Sequence, residues 1–305
     1  MKILVLGGTR FVGKSLVYEL LKEEHEVTLF TRGNNPIPSG VEHIKGDREL
    51  LDSLEILKDK TYDILVDTSG RTKEQTEKVV SLIGRPTNRV IYISSAGVYD
   101  YSSYWPLDEN SPIDENSRHY GKYKTEQFLI NERIPFTSFR PTYIYGPGNY
   151  NPIEKWFFDR INFNQPIPLP GKGEIITQLG HVNDLSKAIV TSLKYDISIN
   201  KIYNCSGKKG VTFRGLVFAC ADVLGVKHEN LDIRSFDPAL LNPKERKLFP
   251  LRLNNFITDI NLIEEDIDWS PSIHLEDGLL DSYDNDYKIR KYPRPDFSID
   301  TPLID

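Results

Sequence analysis

The sequence has almost no cysteine. Two residues, Cys205 and Cys220, stand among 305. They are too few for a disulfide framework and lack metal-ligand spacing, so no metal site is expected and the chain reads as one kept in a reducing compartment. Long apolar runs are also missing. The N-terminal stretch Met-Lys-Ile-Leu-Val-Leu-Gly-Gly is too short for a secretion signal, and no segment approaches the roughly 20 apolar residues of a membrane span. A cytoplasmic protein without a membrane partner is expected. Positive charge is not in excess: 38 Lys and Arg face 44 Asp and Glu, for a net charge of -6. Such a chain has no general electrostatic pull on nucleic acid, which makes a nucleic-acid partner an unfavoured expectation. Internal repeats and low-complexity tracts are absent, which excludes a solenoid. What remains is 39% hydrophobic and 27% charged, the composition of a folded globular chain.

Lys2–Leu6 is a branched apolar run that ends in Gly7-Gly8, the pattern of a buried parallel strand entering a tight turn. Residues 11–23 show helical spacing, with Val12, Leu16, Leu20 and Leu21 on one face. Further strands are predicted at 27–30, 64–67, 90–93 and 135–140, and helices at 73–83 and 120–131. Strands alternating with helices predict an α/β fold, a Rossmann-type doubly wound parallel sheet with a smaller C-terminal α/β part. Residues 100–119 form a long polar excursion containing Pro106 and Pro112, and long loops of this kind are often functional. Beyond Gly146 prolines and glycines break the pattern. A first domain over 1–165 is expected, with 181–207 returning to its sheet, and a substrate-binding part over 166–305.

The turn Gly7-Gly8-Thr9-Arg10-Phe11-Val12-Gly13 follows a strand and opens a helix. That context favours a dinucleotide pyrophosphate held by amides at a helix start. Arg10 stands where a middle glycine is usual, and its guanidinium suits a phosphate. The second strand ends Leu29-Phe30-Thr31-Arg32-Gly33. It carries no carboxylate for an adenosine ribose and does carry an arginine, so NADP(H) is expected over NAD(H). A solvated surface arginine is the competing reading of Arg32.

Tyr120 and Lys124 are four residues apart at the start of a helix and share a face. A phenol beside an ammonium is eased toward phenolate and can act as an acid/base near neutral pH. Ser94-Ser95-Ala96-Gly97-Val98-Tyr99 follows the strand at 90–93, on the edge where open α/β sheets hold ligands. There Ser95 can donate to a substrate oxygen.

Taken together, these motifs resemble the extended short-chain dehydrogenase/reductases, the NAD(P)-dependent sugar epimerase/dehydratase group. The likeness extends to Gly46-Asp47, Arg140-Pro141-Thr142-Tyr143-Ile144-Tyr145-Gly146-Pro147-Gly148, His181-Val182-Asn183-Asp184 and Asp268-Trp269-Ser270-Pro271. The glycine turn and Ser117-Arg118-His119 are most similar to the chloroplast stem-loop binding proteins and their bacterial relatives. The resemblance implies Tyr120 as acid/base, Lys124 on the nicotinamide ribose and Ser95 on the substrate. It implies cofactor contacts from Gly7, Thr9, Arg10, Phe11, Val12, Gly13, Arg32, Asp47, Thr68, Ser69, Ser94, Lys124 and Pro141. Substrate contacts are expected from Ser95, Tyr99, Asn149 and Arg252, with Trp269 a further lining residue. Dehydratases of the group carry an Asp-Glu pair after the catalytic Ser or Thr. Ala96 and Gly97 stand there in this chain, which ranks an epimerase or ketoreductase on a nucleotide sugar above a dehydratase. Two other readings stay open: an RNA-binding or endoribonuclease-like protein on the same fold, and a non-catalytic NADP(H)-binding regulator. A homodimer through the helices at 73–83 and 120–131 is also expected.

Overall fold

A computed structural model describes residues 1–304. Its strands are β1 (Lys2–Leu6), β2 (Glu26–Thr31), β3 (Glu42–Lys45), β4 (Ile64–Asp67), β5 (Arg89–Ile93), β6 (Phe136–Pro141), β7 (Tyr143–Tyr145), β8 (Ile167–Pro170), β9 (Ile176–Thr177), β10 (Leu179–His181), β11 (Lys201–Cys205), β12 (Val211–Thr212) and β13 (Ile233–Phe236). The α-helices are α1 (Phe11–Lys22), α2 (Leu51–Leu54), α3 (Lys73–Ile83), α4 (Tyr120–Asn131), α5 (Ile153–Asn162), α6 (Val182–Ser192), α7 (Phe213–Leu224), α8 (Asn261–Ile267), α9 (Leu275–Ser282) and α10 (Thr301–Ile304).

The chain divides into two compact units. The first comprises Met1–Thr142, Val182–Ser206 and Thr258–Pro271. It holds a seven-stranded sheet in the order β11-β6-β5-β4-β1-β2-β3, parallel throughout. Strands β4 and β5 are buried along their whole length, as the middle of a parallel sheet covered on both faces must be. Leu4, Leu65, Val90 and Phe136 pack with Val79 of α3 and Leu129 of α4. Leu6 pairs with both Phe30 and Asp67, so the C-terminal ends of β1, β2 and β4 line one edge.

The first segment of the first unit ends at Thr142. The reason is local: β7, which follows β6 after one residue, pairs with β10 in a small separate sheet. The proline-rich stretch that marks the change in the sequence comes later.

The second unit comprises Tyr143–His181, Gly207–Ile257 and the residues from Ser272 onward. Its core gathers Phe157, Phe158, Phe213, Leu216 and Leu279. Glu154 is buried there and accepts from the Gly146 amide at 3.3 Å. Burial pushes its carboxyl up to about 7, from 4.5. Between those two values the unfolded chain loses a proton that the folded chain keeps, so stability falls as pH rises through the window. Glu154→Gln should remove that fall and gain about 3 kcal/mol over wild type above it. Urea denaturation across the window checks this; a difference between the two proteins that does not change with pH would refute it.

Candidate active site

The edge formed by the C-terminal ends of β1, β4 and β5 brings most of the singled-out residues together. Gly7 and Gly8 have φ of 107° and 96°, a region that favours glycine. A Cβ at Gly7 would lie 2.4 Å from Thr68 Oγ1, and one at Gly13 would lie 2.6 Å from the Gly8 nitrogen. Both glycines are therefore demanded by close approach. Arg10 caps α1 in an extended conformation, φ -141°, open to any residue, which is why the missing middle glycine is tolerated. Thr9 is half-buried, as are Phe11 and Val12 in the first turn of α1. Thr68 and Ser69 both donate to the last carbonyl of β1, Leu6, at 2.9 and 3.3 Å.

Arg32 is exposed just past β2, and no carboxylate pairs with it among the described residues. Beside it, His43 Nε2 lies 2.9 Å from Thr31 Oγ1, and the Lys45 side chain comes within 3.7 Å of where a Gly33 Cβ would sit. This end of the sheet is basic. Asp47 follows β3, its Oδ1 accepting from the Glu49 amide at 3.0 Å.

A buried network was not foreseen. Arg48 grips Asp67 with two bonds of 2.6 and 2.9 Å and reaches Ser69 Oγ at 2.8 Å. Asp67 also accepts from Thr76 Oγ1 and the Gly70 amide. Burial opposes ionisation of Asp67, but Arg48, Thr76 and the amide outweigh it and hold the carboxyl below its usual range. The available signal was a carboxylate closing an otherwise apolar strand.

Ser94 is buried, and its hydroxyl has no hydrogen-bond partner among the described residues. Ser95 is half-buried and its Oγ accepts from the Gly97 amide at 3.0 Å. Tyr120 opens α4, half-buried, its ring stacked on Tyr123 at 5.8 Å. Lys124 is exposed, with Nζ 5.0 Å from the centre of the Tyr120 ring. The lysine that turns to the sheet is Lys122, which sequence reasoning passed over. Its Nζ donates to the Ile93 carbonyl at 2.5 Å. Burial pushes its ammonium down to about 8, against the pull of Asp67 and Glu126. It fastens the helix bearing Tyr120 to the strand that leads to Ser95. Pro141 is buried at the end of β6.

Three expected lining residues are buried in this structure. Tyr99 is 1% exposed, its hydroxyl donating to Asn204 at 2.7 Å and accepting from Arg140 at 3.1 Å; it belongs to the interior of the first unit. Asn149 is buried, and its amide is used within its own loop, on the Ile144 carbonyl and the Asn151 amide. Trp269 is buried in the first unit. In the second unit Arg252 is half-buried, its guanidinium 4.6 Å from the Phe256 ring and its backbone amide on Tyr143 Oη at 2.8 Å.

Residues 3–206 match the model of the NAD dependent epimerase/dehydratase family. The chain belongs to that family. The chloroplast stem-loop binding protein of 41 kDa b of Arabidopsis thaliana is 38% identical, over 99% of this chain and 84% of that protein. A putative UDP-glucose 4-epimerase of Methanocaldococcus jannaschii is 25% identical over 91% of this chain and 95% of its own. Among solved structures, a UDP-glucose 4-epimerase of Thermotoga maritima with UDP-glucose shares the fold, with a TM-score of 0.77 at 17% identity over 93% of this chain and 98% of that one.

The family implies a nicotinamide dinucleotide, and the residues fit one. The glycine cradle that any Cβ would fill and the unpartnered Ser94 hydroxyl lie on the edge where such a group is held in open α/β sheets. No helix among the described residues is long and apolar enough to cross a membrane.

Proposed function

We propose that this chain is an NADP(H)-dependent oxidoreductase or epimerase acting at a hydroxyl or keto carbon of a nucleotide sugar. The observation that carries the reading is the single sheet edge shared by the glycine cradle, the free Ser94 hydroxyl and Ser95, with Lys122 tying the Tyr120 helix to it. The dinucleotide, when bound, supplies hydride acceptance and donation. Gly7 to Gly13 and the residues after β2, β4 and β5 hold it. Ser95 polarises the substrate oxygen, and Tyr120 gives or takes its proton. Lys124 sets the charge beside the phenol. Arg252 is the proposed substrate contact of the second unit. Relatives and structural neighbours named for UDP-glucose support the nucleotide-sugar class. A homodimer through the α3–α4 face belongs to the same reading, and light scattering measures it.

Preference for NADP(H) rests on Arg32, exposed just past β2 and without a carboxylate partner among the described residues. Calorimetry should show NADPH bound more tightly than NADH by wild type. Arg32→Asp should weaken NADPH by about 10- to 100-fold, the worth of a charge-assisted bond. Equal or tighter NADH binding by wild type removes the preference.

A second reading rests on the 38% identical relative, which is named for stem-loop binding. Salt-dependent, sub-micromolar affinity for a hairpin RNA, in a protein that binds no dinucleotide, would put that reading first.

A further inference from the structure

Sequence alone leaves no side chain for proton transfer just after Ser95, because Ala96 and Gly97 stand there. The structure fills the place from elsewhere. A Cβ built on Gly97 would lie 2.5 Å from Cδ2 and 2.9 Å from Nε2 of His119, and 3.0 Å from Ser95 Oγ. The imidazole edge and the Ser95 hydroxyl thus lie against the same face of Gly97, closer than a side chain at that position would permit. The glycine at 97 is what lets the ring in.

The ring is held there. Ser117 Oγ donates to the Gly97 carbonyl at 2.7 Å and accepts from the His119 amide at 3.1 Å. Arg118 Nε donates to His119 Nε2 at 3.0 Å, the geometry of a neutral ring with its proton on Nδ1 and its lone pair on Nε2. Ser117-Arg118-His119 is accordingly a clamp on the Ser95–Gly97 turn. The next residue in the chain is Tyr120.

We propose that His119 is a second acid/base of this site, serving proton transfer at the carbon next to a sugar carbonyl. The proposal rests on the keto-sugar reading above. In the step, Nε2 takes the proton from the carbon adjacent to the carbonyl. The electron pair of that C–H bond becomes the enolate double bond, and the carbonyl oxygen takes the negative charge under a hydrogen bond from Ser95. Return of a proton to either face restores the ketone. Nothing is oxidised or reduced.

The test uses dTDP-4-dehydro-6-deoxyglucose in D2O without added dinucleotide, followed by NMR. Wild type should place deuterium next to the carbonyl faster than the protein-free control. His119→Ala should lose about 100-fold of that exchange, the lower range for a positioned acid/base. Added imidazole should restore it above the rate that imidazole gives alone, which a merely structural histidine would not allow. Exchange equal to the control in wild type, or unchanged in His119→Ala, overturns the proposal. Consumption of NADPH with the same ketone is read separately. NADPH consumed without exchange sinks His119 alone, exchange without NADPH consumption sinks the oxidoreductase reading alone, and neither sinks both.

Discussion

Tyr120→Phe is expected to lower turnover of nucleotide-sugar substrates by about 10²- to 10⁴-fold, the usual contribution of a positioned acid/base, and to leave NADP(H) affinity within about twofold. The substitution removes one oxygen and keeps the ring. That ring stacks on Tyr123 and lies under the Lys124 ammonium, and neither contact needs the hydroxyl. Phenylalanine should therefore hold α4 in place while the proton path is gone. The effect should fall on kcat, because the lost interaction matters in the transition state and not in ground-state binding. Steady-state kinetics over a panel of UDP- and dTDP-hexoses, with calorimetry of NADPH on the same variant, separates the outcomes. A Tyr120→Phe protein that turns over like wild type would move the acid/base role away from Tyr120. A loss of both turnover and cofactor affinity would instead mean that the phenol helps to shape the dinucleotide site.

How far this site could be read in the sequence depended on what each residue was buried against. β1, β4 and β5 read as strands because they are covered on both faces, so nearly every residue is apolar. β3 did not, since it sits at the sheet edge with only Ile44 buried among its four residues. Gly7 and Gly13 were legible because the positive φ of Gly7 and the approach of Gly13 to the Gly8 backbone both arise within one turn. Asp67 and Arg48 were not, because their bond spans 19 residues and no local pattern announces it. Tyr99 was expected among the substrate contacts from the family resemblance. Its hydroxyl turns inward, because Asn204 and Arg140, far away in sequence, supply partners there. Lys122 and Lys124 are two residues apart on α4, so they face different ways. Spacing from Tyr120 singles out Lys124, whereas the carbonyl that captures Lys122 belongs to β5. His119 shows the same limit: its ring lies against Gly97, which only the fold brings beside it.

The same helix supports the second large expectation. Glu126, about one and a half turns beyond Tyr120, is fully buried. It accepts from Arg140 Nε at 3.1 Å and Nη2 at 2.6 Å, and from Ser138 Oγ at 2.9 Å. Arg140 in turn donates to Tyr99 Oη and to the Glu109 carbonyl, each at 3.1 Å. Burial works against the guanidinium charge, but Glu126 and Tyr99 more than compensate and raise its pKa above the usual arginine value. Arg140 cannot escape by losing its proton, so removal of Glu126 leaves a buried, unpaired cation. Glu126→Ala should cost about 3–5 kcal/mol for that reason. The double change Glu126→Leu with Arg140→Met should recover most of it, because an apolar pair of similar volume removes both charges together. Urea unfolding of the two single variants and the double variant forms the cycle that isolates the pair. A Glu126→Ala cost below about 1 kcal/mol would place the pair in the class of solvated ion pairs, and the network would then contribute little to holding α4 against β6. If the large cost is found, the register between the Tyr120 helix and the sheet edge carrying Ser95 rests on a charge pair that no substrate touches.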